Sequence, residues 1–131
     1  MIDDIAAAAG VEVVRAPTGE ANVVEAMLAQ GAIFGGEGNG GVIDPRIVPV
    51  RDSLVAIAGI LQPMARQNKP VSELVASIPS YVMVKTKFPC PAGAAPQVAQ
   101  AAREIFENVP DARFNDQDGL RIDLPQGWVC V

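Results

Sequence analysis

The residues best suited to chemistry in this sequence are one carboxylate and one amide inside a run of glycines. Glu37 and Asn39 are the two non-glycine residues of the segment 35–41, which reads GGEGNGG. Glycine is favoured where the backbone needs a positive φ or where a ligand approaches the main chain closely. A carboxylate can accept hydrogen bonds from two neighbouring hydroxyls, and an amide can both donate and accept. The run therefore predicts a site for a polyhydroxylated ligand, formed by Glu37, Asn39, Gly36 and Gly38.

The same glycines also fit the Gly-x-Gly-x-x-Gly pattern of dinucleotide-binding loops, at Gly36, Gly38 and Gly41. That motif needs a helix directly after it, so that the pyrophosphate meets a helix N-terminus. Segment 42–45 reads VIDP instead, and the charge of Glu37 would repel a phosphate. A Walker loop is excluded because no Gly-Lys-Ser/Thr occurs. A glycine-rich hairpin without any ligand stays an open alternative, since glycine clusters are ordinary turn signals.

Composition narrows the classes of function. Half of the 131 residues are hydrophobic, which argues for a folded core and against disorder. The net charge of −5 argues against nucleic acid as a partner, because phosphate binding needs a basic surface. The sequence contains no histidine, so the commonest general base and the commonest metal ligand are missing. The sequence predicts no catalytic residue and no metal ligand in this chain.

The same features bear on the compartment. No run of about 18 apolar residues is present, so the sequence predicts no membrane partner. Segment 1–4, MIDD, lacks the basic region of a secretory signal. Cys90 and Cys130 are far apart and show no metal-type or redox-type spacing, which is typical of free thiols in a cytosolic protein. We therefore expect a cytoplasmic protein.

The first part of the chain alternates between helical and strand-like segments. Apolar residues at helical spacing predict helices at 2–9 and 20–30, and each is followed by a glycine stop. Short apolar runs at 11–15 and 32–34 predict strands. This alternation indicates an α/β fold with a parallel sheet. It would place the glycine run at the carboxyl end of a strand, where functional loops gather in such sheets.

A longer helix follows the glycine run. Asp52 or Ser53 can cap it, and Pro63 is expected to end or kink it. A short helix at 71–78 comes next. Arg51 and Asp52 could form a salt-bridged functional pair, but a helix start beside a solvated arginine is the favoured interpretation.

The pattern changes near residue 80. Alternation over 81–88 predicts a half-buried strand, and Pro96 opens a helix that runs through residue 108. Strands at 119–124 and 128–131 flank a turn. The second part is therefore predicted to be α+β, and a domain boundary is expected near residue 80.

Several segments together resemble the C-terminal part of the α-D-phosphohexomutases, the group of phosphoglucomutases, phosphomannomutases and phosphoglucosamine mutases. Each segment alone is weakly specific, but their order and spacing match the family over nearly the whole chain. The segments are 5–15, 19–27, 35–43, 51–52, 72–74, 81–85 and 118–129.

The resemblance implies a reaction and a role for the glycine run. In this family a phosphoserine and a bisphosphate intermediate interconvert hexose 1-phosphate and hexose 6-phosphate, and Mg²⁺ holds the phosphoserine. The third domain carries a Gly-Glu-x-Ser/Asn-Gly loop whose carboxylate binds two adjacent ring hydroxyls. Here that carboxylate is Glu37, and the Ser/Asn position is Asn39. Many relatives end this motif in Gly-His, but this chain has Gly40 and Gly41, so a role for that histidine is not implied.

The resemblance also implies an incomplete enzyme. Residues 1–80 would be the C-terminal part of the third domain, and 81–131 the start of the fourth, before its phosphate loop. The serine and Mg²⁺ loops would lie outside this chain, which alone would be inactive. Exposed sheet edges would favour self-association. The alternative is a non-catalytic sugar-phosphate-binding or regulatory module. The site assignment fails if Glu37 is inside the protein, paired with an arginine or lysine, with no open cleft beside it.

Overall fold

The computed structural model describes residues 1–131, and the chain divides into two compact units at Met83 and Val84. The first unit contains four helices and one two-stranded hairpin, and the second contains one helix and a three-stranded sheet. The assignment of residues 1–80 and 81–131 to the third and fourth domains of the family stays a prediction.

Two helices open the first unit, α1 (Ile2–Ala9) and α2 (Glu20–Gln30). Both end at a glycine in the left-handed conformation, with φ of 67° at Gly10 and 65° at Gly31. A residue with a side chain is strained in that conformation, so glycine is the usual C-terminal stop of a helix. Both helices were predictable from local sequence, and the structure confirms them.

The expectation of a parallel sheet in this unit is wrong. The strands are β1 (Gly35–Gly36) and β2 (Val42–Ile43), which pair antiparallel with Gly35 opposite Ile43. Segments 11–15 and 32–34 form no strand. Strand-like composition is not enough, because a strand also needs a hydrogen-bonded neighbour. The short connection between β1 and β2 permits only antiparallel pairing, since a parallel pair needs a crossover of a dozen or more residues. The glycine run is therefore the turn of a hairpin.

The helix after the hairpin is α3 (Ser53–Gln67), and α4 (Val71–Ala76) follows it. Asp52 caps α3, and its carboxylate accepts from the backbone N–H groups of Leu54 and Val55 at 2.7 and 3.1 Å. Pro63 lies inside α3, which continues for four more residues, so Pro63 does not end the helix, and the alternative expectation of a kink stays a prediction. Proline removes one hydrogen bond, but the neighbours Leu, Gln, Met, Ala and Arg are all strong helix formers.

The second unit begins with a long irregular segment. The strand predicted at 81–88 is absent, and its residues on both faces are exposed, including Val82 at 93% and Met83 at 58%. Alternation of apolar and polar residues indicates a strand only when a neighbouring strand completes the hydrogen bonds. None pairs with this segment.

The regular part of the second unit consists of α5 (Ala95–Phe106) and three strands. These are β3 (Arg113–Asn115), β4 (Arg121–Leu124) and β5 (Gly127–Cys130), paired antiparallel in that order. The helix and the β4–β5 hairpin agree with the sequence prediction, and β3 is an additional strand. The α+β expectation for this part therefore holds.

Each unit has a small buried core. In the first, Ala6, Met27 and Ile43 are buried, and in the second, Leu120 and Ile122. A Cβ on Gly35 would come within 2.2 Å of the Met27 sulfur, so the hairpin packs directly on α2. None of the helices combines the length and the apolar character needed to cross a membrane.

Candidate functional site

The glycine run forms a tight turn held by its own backbone. The N–H of Glu37 donates to the carbonyl of Gly41, and the N–H of Gly40 donates back to the carbonyl of Glu37, both at 3.0 Å. The side-chain oxygen of Asn39 accepts from the N–H of Gly41 at 3.1 Å. Gly40 has a φ of 95°, which only glycine adopts without strain. The turn therefore places Glu37 and Asn39 close together.

The carboxylate of Glu37 is anchored on both oxygens. Oε1 accepts from the N–H of Gly19 at 3.1 Å. Oε2 lies 3.1 Å from Nη1 of Arg51, and the side-chain amide of Asn39 approaches the same oxygen at 3.5 Å. The Glu37 side chain is 14% exposed. Its charge is thus balanced by a guanidinium, and its orientation is set from two sides.

Arg51 joins Glu37 to a second carboxylate. Its Nε donates to Oε2 of Glu20 at 2.9 Å, and its backbone N–H donates to Oε1 of Glu20 at 2.8 Å. These hydrogen bonds hold the pKa of Glu20 below its ordinary value, and the one from the Arg51 backbone has the largest effect. The hydrogen bond to Glu20 and, less strongly, the charges of Glu20 and Glu37 raise the pKa of Arg51. Glu20, Glu37 and Arg51 form one ionised group, here called the arginine cluster.

Three elements meet at the arginine cluster. Glu20 is the first residue of α2, Glu37 lies in the turn between β1 and β2, and Arg51 stands just before α3. The N–H of Asp52 donates to the carbonyl of Val42 at 2.9 Å, which ties the start of α3 to the hairpin. The helix starts and the hairpin together therefore decide the position of all three charged groups.

Two glycines of the turn are required by close packing. A Cβ on Gly36 would come within 2.3 Å of the backbone oxygen of Gly41. A Cβ on Gly41 would come within 2.2 Å of Cδ of Arg51 and 3.0 Å of its Cγ. Nothing lies within 4 Å of the Cβ position at Gly38, so that side of the turn is open.

The structure brings all four predicted site residues, Gly36, Glu37, Gly38 and Asn39, onto the same turn. Their role in binding a sugar stays a prediction. Two of the three parts of the condition set against it are met, because Glu37 is mostly covered and is paired with Arg51. Arg51 itself is 42% exposed, so the pair lies at the surface of the unit.

The sequence did not reveal the arginine cluster. Arg51 is not paired with Asp52, which caps α3 as expected. Its side chain is 42% exposed, as expected of a solvated arginine, but it also bridges two carboxylates. Glu20 lies 31 residues away from Arg51 in sequence. No local pattern signals such a pairing, since it depends on where two helix starts meet.

Comparison with known proteins identifies the family. Residues 1–81 match the family model described as phosphoglucomutase/phosphomannomutase, alpha/beta/alpha domain III. The chain belongs to the phosphoglucomutase/phosphomannomutase family. This confirms the resemblance found in the sequence.

Relatives of this phosphohexomutase segment match it from end to end. It is 36% identical to a phosphoglucomutase/phosphomannomutase of Thermococcus kodakarensis, over 100% of this chain and 28% of the relative. It is 33% identical to a probable phosphoglucosamine mutase of Methanopyrus kandleri and 31% identical to a phosphoglucosamine mutase of Methanocaldococcus jannaschii, each over 100% of this chain and 29% of the relative. The chain thus spans less than a third of the length of these proteins.

The carboxylates of this phosphohexomutase segment do not fit a Mg²⁺ site. No three His, Cys, Asp or Glu residues are grouped in a way that could hold a metal ion. Glu20 and Glu37 share the guanidinium of Arg51. The buried Asp44 pairs with Arg46 at 2.6 Å, and the hydrogen bonds from that side chain lower the pKa of Asp44. Each of these carboxylates therefore already faces a cation of the protein.

Proposed function

We propose that this chain is the sugar-recognition part of a phosphohexomutase. The complete protein would interconvert hexose 1-phosphate and hexose 6-phosphate through a phosphoserine and a bisphosphate intermediate. Glu37 would accept hydrogen bonds from two adjacent ring hydroxyls, with Asn39 beside it and the backbone at Gly36 and Gly38 facing the sugar. The family match over residues 1–81 supports the reaction class.

The observation that carries this proposal is the way Glu37 is presented on the glycine turn. Each oxygen of an ionised carboxylate can accept about two hydrogen bonds. Oε1 receives the Gly19 N–H, and Oε2 receives Arg51 and the long contact from Asn39. Acceptor capacity is left on Oε1, and the 3.5 Å contact from Asn39 can be given up to a hydroxyl on Oε2. A carboxylate held in this way has the two acceptors that a pair of neighbouring ring hydroxyls requires.

The remaining parts of the reaction would come from elsewhere in the complete protein. The phosphoserine would transfer the phosphoryl group, and the Mg²⁺ beside it would hold that group in place. This chain would contribute recognition of the sugar ring and no catalytic residue, so alone it would not convert hexose phosphates. Cys90 and Cys130 are both free and exposed, which suits the reducing cytosol that we propose as its compartment.

The test is Glu37→Gln in the full-length gene product that carries this chain. Activity would be measured with the 1-phosphates of glucose, mannose and glucosamine. Loss of a hydrogen bond to a charged group typically costs about 1.5–3 kcal/mol. We therefore expect kcat/KM to fall about tenfold to 150-fold for the preferred sugar. Glu25→Gln, which changes an exposed carboxylate on α2, is the matched control. Equal kcat/KM in the two variants would remove Glu37 from the site.

The second candidate is a non-catalytic sugar-phosphate-binding or regulatory module. Binding of hydroxyls by Glu37 and Asn39 needs no phosphoserine, so the same turn would serve either role. Calorimetric titration of the full-length product with the same hexose phosphates separates the two. Binding that Glu37→Gln weakens, in a protein without mutase activity, would favour the module.

Self-association is a separate proposal about partners. The outer strands β3 and β5 of the second unit each have one unpaired edge. Such edges can pair with another chain, although short strands like these are poor templates. Light scattering of the chain over a range of concentrations tests it, because association would raise the measured mass with concentration.

A further inference from the structure

Arg51 occupies a special place in the arginine cluster because it is the link between Glu20 and Glu37. We infer that Arg51 is a positioning residue, which orients the carboxylate of Glu37 for sugar binding while Glu20 holds the arginine in place. The inference rests on the proposed function of Glu37. It adds Arg51, Glu20 and Gly41 as the residues that make Glu37 competent.

The first step of the argument is that Glu20 immobilises Arg51. Its two oxygens accept from the backbone N–H and from Nε of the same arginine, at 2.8 and 2.9 Å. The backbone of Arg51 and the Nε of its guanidinium are thereby both held by Glu20. The planar guanidinium then presents Nη1 in one direction, at 3.1 Å from Oε2 of Glu37. Lysine has no such fork and can act only as a point charge.

The second step is that Glu37 needs two anchors. The last torsion of a glutamate side chain turns between broad and nearly equivalent positions, so one hydrogen bond does not fix the plane of the carboxylate. The Gly19 N–H holds Oε1, and Arg51 holds Oε2. The amide of Asn39, at 3.5 Å, is too distant to replace Arg51. Without Arg51, the carboxylate would be free to rotate about its contact with Gly19.

The third step is an independent observation about the packing of Arg51 against Gly41. The stem of Arg51 crosses the turn over Gly41, where a Cβ would lie 2.2 Å from its Cδ. Gly41 has no positive φ, so the backbone conformation does not require glycine there. The missing side chain instead provides the path by which Arg51 reaches Glu37.

The test uses the full-length gene product with Arg51→Gln, Glu37→Gln and the double variant. We expect Arg51→Gln to raise KM about tenfold with kcat changed less than about twofold, because it removes recognition of the substrate rather than chemistry. The KM of the double variant should be no higher than that of Glu37→Gln, since the two substitutions remove the same interaction with the sugar. Arg51→Lys should restore part of the loss. Arg15→Gln removes another ion-paired arginine of the same unit and should leave KM unchanged.

A spectroscopic signal reports the position of Glu37 directly. In protein labelled with ¹⁵N-glycine, the amide signal of Gly19 senses the carboxylate that it contacts. We expect Glu37→Gln and Arg51→Gln both to shift this signal, and Arg15→Gln to leave it in place. If Arg51→Gln unfolds the protein, Glu20→Gln provides the same test, because it releases Arg51 without touching Glu37.

The outcomes separate this inference from the proposed function. An unchanged kcat/KM in Glu37→Gln would overturn the proposed function, and with it the role of Arg51 in recognition. The inference alone would be overturned if KM rises in Glu37→Gln but Arg51→Gln leaves both KM and the Gly19 signal unchanged. Where Arg51→Gln does not fold, Glu20→Gln is judged by the same two measurements. A further KM rise in the double variant, equal to that of Arg51→Gln by itself, would also contradict it.

Discussion

Arg51 and Gly41 are packed so closely that a side chain at position 41 and the observed course of Arg51 exclude each other. The Cβ position of Gly41 lies 2.2 Å from Cδ of Arg51, and the guanidinium beyond it reaches Glu37 at 3.1 Å. The glycine run therefore does more than form a turn. At its last position it makes room for the cation that neutralises its one carboxylate.

Replacing Gly41 with alanine should displace Arg51 and so weaken recognition of the sugar. The new methyl group meets the stem of Arg51, which can move aside only by giving up its side-chain hydrogen bond to Glu20 and its ion pair with Glu37, so the free energy of unfolding should fall by about 1–3 kcal/mol. Arg51 should lose its contact with Glu37, and KM of the full-length product should rise as in Arg51→Gln. Gly59→Ala, in the open middle of α3, is the control and should not affect KM. An unchanged KM in Gly41→Ala would contradict the steric argument.

Gly36 and Gly38 should respond differently to the same substitution. At Gly36 the new Cβ would be 2.3 Å from a backbone oxygen, which cannot move without opening the hairpin, whereas at Gly38 it would meet nothing. Overpacking of this kind typically costs about 1–3 kcal/mol, and an unhindered surface change about 0.5 kcal/mol or less. Urea denaturation of the 131-residue chain would measure both. Equal losses would show that the turn tolerates a side chain at either place.

Asp52 should stabilise the chain as the N-cap of α3. Its carboxylate accepts from two backbone N–H groups that have no partner within the helix. Asp52→Ala should lower the free energy of unfolding by about 0.5–2 kcal/mol, and Asp52→Asn by less, because the amide oxygen can still accept. Thermal unfolding followed by circular dichroism compares the two. A larger loss in the asparagine variant would argue against a capping role.

Tyr81 should ionise at unusually high pH. Its hydroxyl donates to the carboxylate of Asp4, which raises the pKa of Tyr81 and lowers that of Asp4. Tyr81 is the single tyrosine of the chain, so the absorbance of tyrosinate reports it alone. We expect its midpoint above the ordinary value of about 10 and closer to that value in Asp4→Asn. The same midpoint in both proteins would contradict the hydrogen bond.

The same pair sets a pH window for stability. A raised folded-state pKa of Tyr81 means that its contribution is complete below about pH 10 and is lost as the pH rises through the folded-state pKa. A lowered folded-state pKa of Asp4 means that its contribution is present above about pH 4 and is lost as the pH falls through the folded-state pKa. The stability difference between the natural chain and Tyr81→Phe should therefore be largest between these limits, as denaturation at several pH values would show.

The elements that the sequence predicted well are the ones that depend on neighbours in the chain. The helix stops at Gly10 and Gly31 and the cap at Asp52 are decided within a few residues. The predicted strands at 11–15, 32–34 and 81–88 failed because a strand exists only beside a partner, and sequence composition does not say whether one is present.

The sequence by itself determined the family and the ends of α1 and α2, because the family motifs and the glycine stops are local features of the chain. The role of the turn in sugar binding stays a prediction. Only the tertiary structure decided that Glu37 is held by Arg51 and that Arg51 is held by Glu20. These contacts join residues from three separate elements. Their distances depend on how two helix starts and a hairpin pack together, and packing is a property of the folded chain.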